Sequence, residues 1–167
     1  PFPCEENPFG GFQRFGFRDR SPDMILGGTR AAATILDAYL DQQLRARGFD
    51  ERKLALVGFS QGTMMSLHVG PRRATAPAGI VGYSGRLFAA ELLAGELKSK
   101  PPVLLVHGTA DTMVPFASME AAEKSLNAVG LAVETLARPG LPHSIDQEGL
   151  VKGGLFLKQH LAKVDQA

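Results

Sequence analysis

Ser60 lies in Gly58-Phe59-Ser60-Gln61-Gly62, a serine with a glycine two residues to either side. A serine hydroxyl is a poor nucleophile at neutral pH. It reacts when a base takes its proton and an acid holds that base in the right tautomer. Both partners follow downstream in the order serine, acid, histidine. Asp111 stands in His107-Gly108-Thr109-Ala110-Asp111-Thr112, and His143 in Gly140-Leu141-Pro142-His143-Ser144. Three such groups held within hydrogen-bond reach carry out acyl transfer through a covalent serine intermediate.

The elements around the serine suit that chemistry. The apolar run Leu54-Ala55-Leu56-Val57 precedes the pentapeptide and Thr63-Met64-Met65-Ser66-Leu67 follows it. A strand, a tight turn and a helix in this order make a nucleophile elbow. The turn is strained, and glycines on both flanks give it room.

Upstream, Ile35, Leu36, Tyr39, Leu40 and Leu44 recur at helical spacing and Gly48 supplies a stop, which predicts a helix over 28–47. Gly27-Gly28 argues against any earlier turn. Beyond it, strands are expected at 53–57, 79–83, 103–106 and 131–136, and helices at 61–69, 89–97, 116–129 and 146–162. The strands are short and apolar without alternation, the pattern of a sheet covered by helices on both faces. Strand–helix repeats of this length call for an α/β fold with a parallel sheet and right-handed crossovers. Asp111 and His143 then each follow the end of a different strand. Parallel sheets place their ligands at that rim, so both should converge on Ser60. With no repeat, low-complexity tract or linker, residues 1–167 read as a single domain. Its opening segment, 1–27, is loop-like and rich in phenylalanine, and 28–167 form the helix–strand core.

The other candidates carry less chemistry. His68 falls inside the helix after the elbow and reads as a packed or surface side chain. His107 ends a strand and serves the Asp111 loop. His160 lies near the end of an amphipathic helix and reads as solvated. Asp146 opens the last helix as a first-turn acid. Glu5-Glu6 are adjacent acids in a loop, where side chains point apart into water. Arg72-Arg73 reads as a solvated loop. Met113, Phe116 and Met64 surround the motifs with apolar bulk, and either line a pocket or belong to the core.

Bulk properties exclude several classes. Eighteen basic and 17 acidic residues leave a net charge of +1, which favours neither nucleic acid nor an anionic membrane surface. Cys4 is the sole cysteine, so there is no disulfide framework and no zinc spacing. No metal-ligand cluster, phosphate loop or dinucleotide fingerprint is present, and no cofactor or metal is expected. No apolar stretch is long enough to span a bilayer, and no signal-like segment opens the chain. The expectation is a cytoplasmic protein without stable membrane insertion.

The stretches PCEENPFGGFQRFGF, LALVGFSQGTMMSLHV, VLLVHGTADTMVPF and GLPHSI together resemble the phospholipase/carboxylesterase family of α/β-hydrolases, which is related to acyl-protein thioesterases. The resemblance implies a three-layer sandwich around a mainly parallel sheet. It implies Ser60 as nucleophile, Asp111 as orienting acid, His143 as base and the Gln61 N–H as an oxyanion donor. It also implies that the phenylalanine-rich opening covers the acyl site. Phe12 within it, and Met113 and Phe116 beside the motifs, are the candidates for substrate contact. The expected activity is hydrolysis of short- to medium-chain carboxylic esters. Thioesters of acylated proteins and lysophospholipids are the alternative substrates, and a catalytically impaired binding module is the alternative role.

The resemblance breaks at the front. Such enzymes begin with several strands and a His-Gly loop that gives a second oxyanion N–H. Nothing in residues 1–52 fits that loop. The strand before Ser60 should therefore have an open edge, to be covered by a second copy or an amino-terminal fragment.

Overall fold

The structure is a computed structural model that describes residues 2–3, 12–13 and 21–164. Strands β1 (Phe2–Pro3) and β2 (Phe12–Gln13) pair antiparallel. The opening flap, Cys4, Glu5 and Glu6 otherwise fall outside the described residues.

Helix α1 runs Pro22–Arg47, starting ahead of Gly27-Gly28 rather than after them. Proline suits the first helical turn, where its missing N–H costs nothing. The early turn is then held by burial: Ile25 packs with Met64, Met65 and Phe88, and the Thr29 hydroxyl donates to the Ile25 carbonyl at 2.7 Å. Tertiary packing overrides the glycine penalty here. Residues 22–27 are thus helix, not loop.

A single 3-10 turn, Glu51–Lys53, leads into β3 (Ala55–Phe59). Then follow α2 (Gln61–Val69), β4 (Gly79–Tyr83), α3 (Ala90–Glu96), β5 (Val103–Gly108), α4 (Ala117–Ala128), β6 (Val133–Arg138) and α5 (Gln147–Val164). The sheet is parallel in the order β3-β4-β5-β6. Both outer strands sit two residues later than expected, because β3 continues through Gly58 and Phe59 up to the elbow and β6 through Arg138.

Faces alternate along the two inner strands. Ile80, Val103 and Leu105 point into one cluster with Leu67, Leu93, Met119 and Leu126. Val81, Tyr83, Leu104 and Val106 point the other way, against Phe156 of α5. Helices on both faces give three layers. The expectation of strands buried on both faces holds for β4 and β5 but not for β3 and β6, where exposed positions recur. Among the described residues β3 pairs only with β4, so its far edge is open as expected.

Two charged positions differ from the sequence expectation. Arg73 is only 5% exposed and is not part of a solvated loop. Its guanidinium pairs with Asp37, with Asp41 at 2.6 Å and with Glu51 at 3.0 Å, tying α1 to the loop after α2. A buried cation needs such partners. Arg72 pairs with Glu96 at 2.6 Å. His68 is packed, and burial together with the nearby Arg72 charge pushes its pKa down to about 4. His160 is not simply solvated, since its ring lies 4.5 Å from that of Phe156.

Candidate active site

Strand register brings the ends of all four strands to one rim. Phe59 pairs with Tyr83, Tyr83 with Val106, and Gly108 with Arg138. Ser60 follows β3, Asp111 follows β5 and His143 follows β6, so the three predicted residues meet where the topology requires.

Ser60 adopts φ 53° and ψ −116°, a conformation that costs a side-chain-bearing residue energy and persists only when its surroundings enforce it. Its N–H donates to the Tyr83 carbonyl at 2.9 Å, and its carbonyl accepts from the Met64 N–H at 3.2 Å. The buried Thr63 hydroxyl lies 2.8 Å from the carbonyls of both Gly58 and Tyr83, locking the elbow to β4. The two flanking glycines are not equivalent. A Cβ at Gly58 would sit 2.2 Å from the Gly62 carbonyl carbon, so strand and helix can approach only at a glycine. Among the described residues a Cβ at Gly62 would meet nothing within 4 Å. Crowding explains Gly58 alone.

Asp111 is held from three directions. Its Oδ1 accepts the N–H groups of Met113 and Val114, each at 2.9 Å. Its Oδ2 lies 2.8 Å from His143 Nδ1 and 3.2 Å from His107 Nε2. Burial acts to raise the carboxyl's pKa, but the hydrogen bonds from His143, Val114 and Met113 outweigh it and leave the group below its ordinary value. The acid is therefore a carboxylate, and His143 Nδ1 must carry the hydrogen that binds it. Nε2 of the neutral ring is left as the basic atom.

His107 plays the structural part expected of it. Its Nε2 faces the Val114 carbonyl at 2.8 Å as well as Asp111, both acceptors, so this nitrogen is a donor that closes the turn around the acid. Phe116 packs edge-on to His107, with ring centroids 6.1 Å apart, and against the core cluster. Phe116 is half-buried just before α4 and is not among the described residues that line the cavity beside Ser60.

The His143 loop is brought in by a close approach at Gly108. A Cβ there would lie 2.1 Å from the Leu141 carbonyl oxygen. The Ala110 N–H donates to the same oxygen at 3.1 Å, and the Gly140 N–H to Thr109 Oγ1 at 2.9 Å. From the other side, Ser84 (φ 48°) donates its hydroxyl to the Ser144 carbonyl at 3.3 Å. Asp146 caps α5 by accepting from the Gly149 N–H at 2.9 Å, the helix-opening role read from the sequence. The His143 ring rests 4.8 Å from that of Phe59.

Ser60 and His143 face a common cavity of about 310 Å³. Ile25, Met64, Met113, Val114 and Pro115 give it apolar walls, and Arg86 is its other polar boundary. Met113 thus lines the site while remaining 74% exposed. Gln61 opens α2, which aims the positive end of that helix at the elbow. Phe12 of β2 pairs with Pro3 of β1, and its side chain lies outside what is described. Arg86 was not singled out by the sequence reading. The available signal was positional: Ser84-Gly85-Arg86 follows β4 at the same rim as Asp111 and His143. No cluster that could hold a metal ion occurs among the described residues, and no described helix is long and apolar enough to cross a membrane.

The family model for Phospholipase/Carboxylesterase matches residues 6–161. The chain belongs to this family. It is 33% identical over 141 residues to a probable carboxylesterase of Oryza sativa subsp. japonica, covering 80% of this chain and 51% of that protein. Against an acyl-protein thioesterase 1 of Gibberella zeae it is 32% identical over 127 residues, covering 73% of this chain and 54% of the relative. The crystal structure of esterase PE8 superposes with a TM-score of 0.88 at 36% identity, covering 95% of this chain and 74% of that one. The chain thus spans about half the length of these two curated relatives, and the α/β-hydrolase fold read from the sequence is shown.

Proposed function

We propose that the chain carries the catalytic centre of a serine carboxylesterase acting on short- to medium-chain carboxylic esters through an acyl-enzyme. The observation that supports it most is the 2.8 Å bond from His143 Nδ1 to an ionised Asp111, with His143 and a conformationally strained Ser60 on one small cavity. In this reading His143 Nε2 takes the Ser60 proton as Oγ attacks the ester carbonyl. The oxyanion forms near the Gln61 N–H at the start of α2. Collapse breaks the ester bond, and the alcohol leaves with the proton from His143. A water, deprotonated in turn by His143, attacks the acyl carbon and frees Ser60 and the acid.

The apolar walls support binding of an acyl group beside Ser60. Thioesters of acylated proteins are a second reading, favoured by the likeness to an acyl-protein thioesterase. The open edge of β3 would be covered by a second copy or by an amino-terminal fragment. Ser60→Ala should reduce 4-nitrophenyl butyrate hydrolysis by ~10⁴-fold or more. Turnover unchanged in this variant would remove Ser60 from the mechanism.

A further inference from the structure

Ser84 and Ser60 occupy equivalent places at the ends of neighbouring strands. Phe59 pairs with Tyr83 in register, so each serine is the residue that follows its strand. Each donates its N–H to the next strand over, Ser60 to the Tyr83 carbonyl and Ser84 to the Val106 carbonyl, both at 2.9 Å. Each also has a positive φ, 53° at Ser60 and 48° at Ser84. At Ser60 the nucleophile's role accounts for that strain. Ser84 is 1% exposed and bears the same kind of strain without a place in the triad.

A positive φ is where glycine is the default and where serine has no special advantage. The turn at Ser84 does not itself call for a side chain. It carries the backbone to Gly85, where a Cβ would lie 3.1 Å from the Ser60 carbonyl oxygen. A glycine at position 84 would make the same turn without strain. What the serine adds is its hydroxyl, which donates to the Ser144 carbonyl at 3.3 Å.

Ser144 directly follows His143. Upstream of the base, the Ala110 N–H holds the Leu141 carbonyl at 3.1 Å, and downstream Arg138 holds Asp146 at 2.8 Å. The Ser84 bond falls between these ties. It fastens the loop of the base to the strand end beside the nucleophile, whereas the Ala110 bond fastens it to the loop of the acid.

We infer that Ser84 is a positioning residue for His143, and that its hydroxyl is retained at a strained backbone position for that purpose. The inference rests on the serine esterase reading and adds to it the group that sets the base against Ser60. A base held out of place removes the Ser60 proton more slowly, while the apolar walls that receive the substrate are unchanged.

Two variants separate the hydroxyl from the backbone. Ser84→Ala loses the hydroxyl and keeps the strain, and Ser84→Gly loses both. Urea unfolding should place the midpoint of Ser84→Gly above that of Ser84→Ala. Activity should not follow that order. In both variants kcat for 4-nitrophenyl butyrate should fall by about tenfold or more with KM nearly unchanged, the signature of a misplaced catalytic group. A kcat in Ser84→Gly equal to that of the unsubstituted protein would overturn the inference and leave the esterase reading standing. So would a KM that rises in both variants while kcat holds. If the unsubstituted protein does not hydrolyse the ester, or if hydrolysis survives Ser60→Ala, the esterase reading falls and the inference falls with it.

Discussion

The inner and outer strands of this sheet are packed in opposite ways, although they form one ladder. On the face under α5, Val81 is 0% exposed and its neighbours Tyr83, Leu104 and Val106 are buried with it. One strand over, on the same face and in register with Val81 and Tyr83, Val57 is 58% exposed and Phe59 40%. The elbow repeats the asymmetry at the scale of single residues. A Cβ at Gly58 would lie 2.2 Å from backbone, whereas one at Gly62 would meet no described atom within 4 Å. The bonds that hold Ser60, Asp111 and His143 come from α2, β4, β5 and the loops after β4, β5 and β6. The positioning of the three groups is thus largely a property of the packed flank and α2, and the flank at β3 contributes the strand that leads to Ser60.

The elbow glycines give the largest test of that contrast. Gly58→Ala forces backbone apart and should destabilise the fold by about 3 kcal/mol. Gly62→Ala should be neutral or stabilising by up to about 1 kcal/mol, since Gly62 lies in the first turn of α2 and alanine favours a helix. Urea unfolding of the two variants reads the difference directly. A loss at Gly62 as large as that at Gly58 would show that the space beside it is filled in solution, and would break the comparison.

A smaller difference is expected between the paired valines. Val81→Ala leaves a cavity beneath α5 and should cost about 2 kcal/mol. Val57→Ala removes methyl groups that already face water and should cost about 0.5 kcal/mol or less. Equal costs in the same unfolding assay would place a partner over β3.

Much of this arrangement was legible in the residues, and the exceptions share a physical cause. Helix 61–69 and strand 79–83 coincide with α2 and β4, because glycine and proline punctuate apolar runs at both places. The convergence of Asp111 and His143 followed from the rule that parallel strands end at one rim. The first turn of α1 did not follow from local propensity, since Gly27-Gly28 opposes a helix that Ile25 and Thr29 stabilise only by contact with distant residues. Arg73 looked solvated because its three carboxylate partners are 22 to 36 positions away in the chain. Phe116 and Met113 were indistinguishable as apolar residues beside a motif, and only the turn closed by His107 sends one into the core and the other to the cavity. Arg86 has no motif at all, and its place beside the cavity follows from Gly85 abutting the elbow.

The central claim is that the packed flank and α2 arrange an activated serine. Reaction of the folded protein with a fluorophosphonate probe, followed by peptide mass analysis, tests it most directly, because the adduct forms only on a hydroxyl activated by a neighbouring base. The account predicts a single adduct on Ser60 that is lost in His143→Ala. Folded protein that takes up no probe, or takes it up at another residue, would contradict the account and favour a binding or association role for this hydrolase fold.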